Sequence, residues 1–227
     1  MTVKMGKRLQ QIVDMAWRAQ EQKHYQHIWD MCCDHGQVGI NLLDRSPACH
    51  LHFVDQVPSI MTSLQLRLEH HFASSSTHWH THCQDAGQIS FSAAESHLVI
   101  IAGVGGVNTL ALINQMLSKT PSSNIDFLLC PVHQLWPLRK ALNQKGYGLE
   151  REQLLQENRR FYELLYVSGT SQKAISNTGC HLWQADKRLS EQYQQRLLAH
   201  YHRMQHADDQ HIATIIDAYM KVDRHWR

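Results

Sequence analysis

Ile28-Trp29-Asp30-Met31-Cys32-Cys33-Asp34-His35-Gly36-Gln37-Val38-Gly39-Ile40 is the stretch whose reading decides the fold. A short apolar entry ends on an acid, a tight loop follows, and helix-forming residues resume near Gln37. That strand–loop–helix order holds nucleotide-type ligands in open α/β sheets, outside the carboxyl end of the first strand. Its weight comes from what recurs downstream. A second strand, 50–54, ends at Asp55, and a third, 77–83, runs into Gln84, Asp85 and Ala86. Residues 98–102 are a continuous apolar run, as expected of a central strand buried on both faces, and lead into Gly103, Val104, Gly105 and Gly106.

The flanking segments complete an α/β pattern. Leu9, Ile12, Val13, Ala16 and Trp17 fall at i, i+3, i+4, i+7 and i+8, which predicts an amphipathic helix over 7–20. Arg8, Arg18 and Lys23 are expected on its solvated face. Helices are predicted at 37–43, 59–72 (with Pro58 in the first turn), 108–118 and 135–144, and a strand at 125–130. Ser46-Pro47 and the serines at 74–76 break the pattern. Residues 147–156 and 161–167, separated by Glu157-Asn158-Arg159-Arg160, predict an antiparallel hairpin. Residues 168–178 read as a polar linker. Leu189, Tyr193, Leu197, Tyr201 and Met204, then Ile212, Ile215, Ile216, Tyr219 and Val222, give two helical stripes joined at Asp208 and Asp209. Their apolar faces are thin, so they are expected to pack on each other and on the sheet.

Three acids end the first three strands: Asp30, Asp55 and Asp85. In such a sheet they border one crevice. A carboxylate after the second strand can accept from both ribose hydroxyls of an adenosine cofactor, and one after the third from the adenine amino group. One at the first strand can hold the loop or a ligand ammonium. The glycines at 103, 105 and 106 allow a flat ligand close to the backbone, or make a plain turn into a helix. The lack of a following Lys-Ser/Thr excludes a phosphate-binding hydrolase loop.

These residues resemble a known family, the bacterial tRNA adenine-22 N1-methyltransferases. Asp30-Met31-Cys32-Cys33-Asp34-His35 stands at its Asp-Ile-Gly-Ser/Thr-Asp-His loop, with Cys32 in place of the first glycine. Ala102-Gly103-Val104-Gly105-Gly106 matches its Ala-Gly-Met-Gly-Gly. Cys130-Pro131 stands at Gln-Pro, Leu138-Arg139 at its Leu-Arg pair, and Glu152 with Phe161-Tyr162-Glu163 at its Glu and Phe/Tyr-Tyr-Glu hairpin. The resemblance implies a Rossmann-like class I methyltransferase sheet, mostly parallel with one antiparallel strand, over residues 1–170. A C-terminal helical hairpin, or coiled-coil subdomain, would follow at 171–227. It implies S-adenosylmethionine as cofactor, held by Asp30, Cys32, Asp34, Gly36, Asp55, Gln56, Asp85, Ala86 and Gly103. Methyl transfer would go to adenine N1 of tRNA or another structured RNA. Asp34 would stabilise the charge developing on the base, and His35 would orient Asp34, touch the ligand, or serve only structure. Val104, Gly105, Pro131 and Arg139 would meet the substrate.

Composition sets the outer bounds. Hydrophobic content of 43% and charged content of 19% fit a globular chain of 227 residues. A net charge of +2 leaves nucleic-acid binding to a local basic face, for which Lys4, Lys7, Arg8, Arg18, Arg139, Lys140, Arg159 and Arg160 are candidates. No stretch reaches the roughly 18–20 apolar residues of a membrane span. The basic N-terminus has no apolar signal core behind it, so a cytoplasmic location is expected. Six cysteines without CxxC spacing are expected reduced. His78, His80 and His82 would share one strand face, and without a ligand from another element they read as a partly solvated strand rather than a metal site. Oligomeric state, monomer or homodimer, stays open. Two other functions stay open as well: a diverged scaffold binding RNA or protein without catalysis, and methylation of a small molecule.

Overall fold

The computed structural model describes residues 5–45, 47–73, 78–120, 124–184, 186–205 and 210–222. Ser46, the serines at 74–76 and the acidic pair Asp208 and Asp209 lie outside them. Seven strands form one sheet in the order β3-β2-β1-β4-β5-β7-β6. Parallel pairing joins β3 (Trp79–Cys83), β2 (His50–Asp55), β1 (His27–Met31), β4 (His97–Ala102) and β5 (Ile125–Cys130). β6 (Gly148–Glu157) and β7 (Arg160–Ser168) form the hairpin, and β7 inserts antiparallel between β5 and β6. Asn158 and Arg159 at its tip both take positive φ, as a two-residue turn requires. The strand order reverses between β1 and β4, which opens a crevice at the carboxyl ends of those strands.

The helices α1 (Lys7–Lys23), α2 (Gln37–Leu43) and α3 (Pro58–His71) pack on one face, where Ile12, Val13, Ala16, Leu42, Phe53, Leu64 and Leu68 are buried. On the other face α4 (Gly106–Lys119) and α5 (Leu135–Gln144) bury Ile113, Met116, Leu138 and Leu142 against Val99, Ile101, Phe127 and Leu129. The solvated basic face expected of α1 is only partly so. Arg18 is exposed, but Lys23 reaches across to Asp126 at 2.8 Å and Glu150 at 3.2 Å. At the other end of the helix, the Arg8 amide donates to Glu157 at 3.1 Å and its guanidinium turns inward over the Tyr162 ring.

Residues 168–178 do not form a free linker. The Lys173 carbonyl accepts from the Leu149 amide at 2.7 Å, the Ser171 hydroxyl donates to the Leu149 carbonyl at 2.8 Å, and Ile175 is buried. Gly148 is required where this strap crosses, because a Cβ there would run into the Ser171 carbonyl. The strap leads to α6 (Lys187–Met204) and α7 (Gln210–Met220). Tyr193, Tyr201, Ile212, Ile215, Ile216 and Tyr219 from these helices close over Trp136 and Trp183, with Leu154 and Phe161 of the hairpin strands at the margin. As expected, the two helices pack on each other and on the sheet.

Arg139 joins these parts. Expected to meet substrate, it is instead 0% exposed. Its Nε donates to Glu163 at 2.9 Å, its Nη2 pairs with Glu152 at 2.8 Å and also with Glu163, and its Nη1 donates to the Ser176 carbonyl at 3.2 Å. One cation cannot balance two carboxylates, and neutral donors take up the remainder. Tyr193 donates to Glu163 at 2.5 Å, and the Cys180 and His181 amides donate to Glu152 at 2.5 and 2.6 Å.

Histidines pave the face of β1–β4 that carries no helix at its β3 edge. Register places His97, His27 and His50 in one row and Trp29, His52 and His80 in the next. His52 stacks on Trp29 with centroids 3.8 Å apart. Its ring nitrogens meet His27 Nδ1 at 2.9 Å and His82 Nε2 at 3.0 Å. Glu95, 3.3 Å from His27 Nε2, sets the direction: His27 donates to Glu95, His52 to His27, and His82 to His52. The lone histidine strand expected from residues 78–82 is thus one part of a four-strand array. Among the described residues no His, Cys, Asp or Glu cluster has the geometry to hold a metal ion.

Two outcomes follow from these buried groups. Arg139→Ala leaves two buried carboxylates without their cation and should cost about 3–5 kcal/mol in urea unfolding. Burial, then the neighbouring His80, His82, His27 and His50, push the His52 pKa down to about 2. The unfolded chain therefore takes up a proton near pH 6.5 that the folded chain refuses. Stability from this group is complete above that pH and is lost as pH falls. Relative to His52→Phe, the wild type should lose about 1.4 kcal/mol per pH unit between pH 6 and 4. Equal slopes would refute the neutral array.

Candidate active site

The loop between β1 and α2 turns on three left-handed residues, Cys32 (φ 54°), Asp34 (φ 50°) and Gly36 (φ 67°). Gly36 also lies against Leu64 and Phe53, where a Cβ would collide. Backbone bonds fasten the loop: the Cys33 amide donates to the Val54 carbonyl at 3.0 Å, and Gly36 to Cys33 at 2.8 Å. Cys32 adopts the backbone that a glycine permits, so the turn survives the substitution at the cost of left-handed strain, about 1–2 kcal/mol. Asp30 lies beneath the loop, where its carboxylate accepts from the Gly39 amide at 3.0 Å. Burial raises its pKa to about 7, the Gly39 bond opposes the shift and Asp55 adds to it. Of the two roles open to Asp30, the loop-holding one is visible.

A cavity of about 440 Å³ opens at the strand ends. That is within the roughly 300–1,000 Å³ typical of small-molecule sites. Cys32, Asp55, Gln56, Asp85, Ala86 and Val104 line it, all chosen from sequence. Asp55 accepts from the Asp34 amide at 3.0 Å and the Val57 amide at 3.1 Å, which fixes its carboxylate. Asp85 caps the short 3-10 turn Ala86–Gln88 through the Gly87 amide at 2.9 Å. Burial, with Asp55, Asp30 and Asp85 in support, lifts the Cys32 thiol to about 11, so it stays protonated at neutral pH. Sequence reasoning missed the opposite wall. Asn108, Ala111, Leu112 and Gln115 of α4 line it, and their i, i+3, i+4, i+7 spacing was the available signal.

The four residues from Gly103 to Gly106 divide into two tasks. Gly103 (φ 84°) faces open space, with only Arg8 Nη1 near the position of a Cβ. Gly105 and Gly106 instead allow close contact with His133 and the Gln134 carbonyl, so Gly105, expected to meet substrate, serves packing. The Gly103 amide donates to the Cys130 carbonyl at 3.1 Å and the Val132 amide to the Val104 carbonyl at 3.0 Å. These bonds tie the loops after β4 and β5 and bury Pro131 between them. Asp34 and His35 sit at the lip, their side chains 70% and 61% exposed and 3.7 Å apart. The His35 carbonyl accepts from Arg67.

The left-handed backbone at Cys32 gives a direct test. Cys32→Gly should raise unfolding stability by about 1 kcal/mol. Cys32→Val, whose branched side chain resists that backbone, should lower it. A urea titration reads both, and the opposite order would remove the strain.

No curated protein matches the sequence. Solved structures do resemble it in fold. M. capricolum TrmK in complex with S-adenosylhomocysteine has a TM-score of 0.75 at 14% identity, covering 96% of this chain and 97% of its own. The B. subtilis M1A22 tRNA methyltransferase TrmK has a TM-score of 0.69 at 18% identity, covering 96% and 94%. Magnesium protoporphyrin IX methyltransferase from Synechocystis with bound SAM reaches 0.57 at 13% identity and covers only 71% of this chain and 79% of its own. The family model described as a methyltransferase domain matches residues 5–165, the span that holds the whole sheet but for its last residues, and the entire cavity. By that match, the chain belongs to the methyltransferase domain family.

Proposed function

We propose that the protein is an S-adenosylmethionine-dependent methyltransferase acting on N1 of adenine in tRNA. The observation that carries this reading is the cavity at the strand ends, lined by Asp55, Asp85 and the neutral Cys32. Its donor set suits the cofactor. Asp55 would take the ribose hydroxyls, Asp85 the adenine amino group, and Ala86 with Leu112 the flat faces of the base. The neutral thiol of Cys32 adds no charge beside a sulfonium. Bound there, S-adenosylmethionine supplies an electrophilic methyl group.

Adenine N1 already carries a lone pair, so the chain's task is placement, and proximity gives most of the acceleration. Gly103, Val104 and Pro131 would shape the slot for the base. Asp34, exposed at the lip and held by Asp55 through its amide, would stabilise the positive charge that develops on the ring. His35, beside it, would orient the Asp34 carboxylate.

The choice of tRNA rests on the whole-chain likeness to the TrmK structures, which extends through the C-terminal helices. We take 171–227 as a subdomain for RNA. An open groove of about 590 Å³ between it and the β6–β7 tip presents Arg159, Arg196, Arg203, Phe161, Gln192 and Gln195 without an acid among its lining residues. Guanidinium and amide groups around one aromatic ring suit a phosphodiester backbone with a stacked base.

The test is methylation of unmodified bacterial tRNA, followed by digestion and mass spectrometry. The expected product is 1-methyladenosine, and Asp34→Asn, which removes the charge but tolerates the left-handed turn, should lower its rate by about 100-fold without changing the melting temperature. Calorimetric binding of S-adenosylhomocysteine with no methylated nucleoside from any tRNA would favour a non-catalytic RNA-binding scaffold instead.

A further inference from the structure

A sheet has two edges, and each leaves a row of backbone amides and carbonyls without a strand to pair with. At the β6 edge that row is closed off. The strap takes the Leu149 amide onto the Lys173 carbonyl at 2.7 Å, and a bulge between Leu149 and Arg151 interrupts the strand. At the other edge β3 pairs only with β2, in regular register up to Cys83. The Leu51 amide donates to the His78 carbonyl at 2.7 Å and the Gln84 amide to the Asp55 carbonyl at 3.0 Å, so the even-numbered residues turn their backbone groups to β2. The amides and carbonyls of Trp79, Thr81 and Cys83 therefore point outward.

Charge and proline, the common guards of such an edge, are missing here. Trp79-His80-Thr81-His82-Cys83 holds no Lys, Arg, Asp, Glu or Pro. What it holds is self-complementary. Laid antiparallel against a second copy, about a two-fold axis at Thr81, the strand sets Thr81 against Thr81, Trp79 against Cys83 and His80 against His82. Trp79, Thr81 and Cys83 then exchange both backbone bonds with the residues opposite. His80 and His82 fall at the close, non-hydrogen-bonded positions, where side chains meet. A neutral imidazole donates with one nitrogen and accepts with the other, so these histidines can bond across the axis. The face they share carries no helix at this edge.

We propose that the protein forms a homodimer by antiparallel pairing of β3 with β3 of a second copy. The two sheets join into one, and the two histidine arrays run together across the axis. Because the paired strands run in opposite directions, the two crevices open at opposite ends of the joined sheet. Charge on the histidines opposes this dimer. His80 faces His50 and His52 of β2 in its own chain, and His82 of the copy. His82 faces His52 and Trp29. Of the flanking carboxylates, Glu95 lies 3.3 Å from His27 Nε2 and Asp85 is taken by the Gly87 amide. Burial and neighbouring imidazoles keep His80 and His82 neutral to below the usual histidine range. Once protonated, they would set like charges directly opposite one another.

Analytical ultracentrifugation over a concentration series tests this, with circular dichroism to confirm that each sample is folded. The wild type should sediment as a dimer at about pH 8 and shift toward monomer as the pH falls to about 5. Thr81→Pro removes the outward amide at the axis and leaves the bonds to β2 in place, which an edge strand permits. It should weaken self-association about 10- to 100-fold while the dichroism spectrum is unchanged. Thr81→Lys keeps the amide but opposes two ammonium groups at the axis, and it should weaken the dimer even if proline disturbs the strand. A wild type that stays monomeric at every concentration would overturn the proposal. So would a dimer that both variants leave intact, because its interface would lie elsewhere. Equal dimer affinity at both pH values would overturn the pairing of His80 with His82.

Discussion

The buried charge of Arg139 is the constraint on which the C-terminal half depends. A guanidinium with no solvent exposure must be surrounded by acceptors, and it gathers them from three separate segments, while a fourth donates to one of those acceptors. Glu163 comes from β7, Glu152 from β6, the Ser176 carbonyl from the strap, and Tyr193 of α6 closes the far side of Glu163. None of these segments is free to move without stranding a charge. A sheet edge, a polar strap and a pair of helices with thin apolar faces thereby become one packed unit.

Charge also organises the opposite end of the sheet, with different means. Asp30, Asp55 and Asp85 converge at the crevice, yet their mutual repulsion is limited. Burial pushes the Asp30 carboxyl up to about 7, so near neutral pH it is partly protonated, while Asp55 and Asp85 are held by loop amides. α1 spans the domain and is fixed at both ends, by Lys23 on Asp126 and by the Arg8 amide on Glu157.

Much of this was legible in the sequence where the signal is local. The strand-terminal acids Asp55 and Asp85, the apolar run of β4 and the two C-terminal stripes all declare themselves within a few residues, and α2, β5 and α5 have the bounds the pattern predicts. What was not legible depends on partners distant in the chain. Arg139 reads like a surface base until Glu163, 24 residues on, is folded against it. Gly105 reads like a ligand glycine until the His133 ring arrives from the following unit. The histidine array is spread over four strands, and only the segment at 78–82 is dense enough to be noticed in one dimension. Cys32 is the reverse case, conspicuous in sequence and accommodated in structure, because its backbone accepts the strain of the left-handed turn and leaves the loop's path intact.

The short connection between β3 and β4 has an architectural consequence. It contains only the turn Ala86–Gln88, whereas the other parallel strands are joined through full helices. Over β4 and β5 the domain is a three-layer sandwich of helix, sheet and helix. Towards β3 it thins to two layers, and a veneer of heteroaromatic rings takes the place of the missing helix. Imidazoles can do this because each carries both a donor and an acceptor and still presents a flat face for stacking. The sheet there is finished by its own side chains, much as a wall is faced rather than built against.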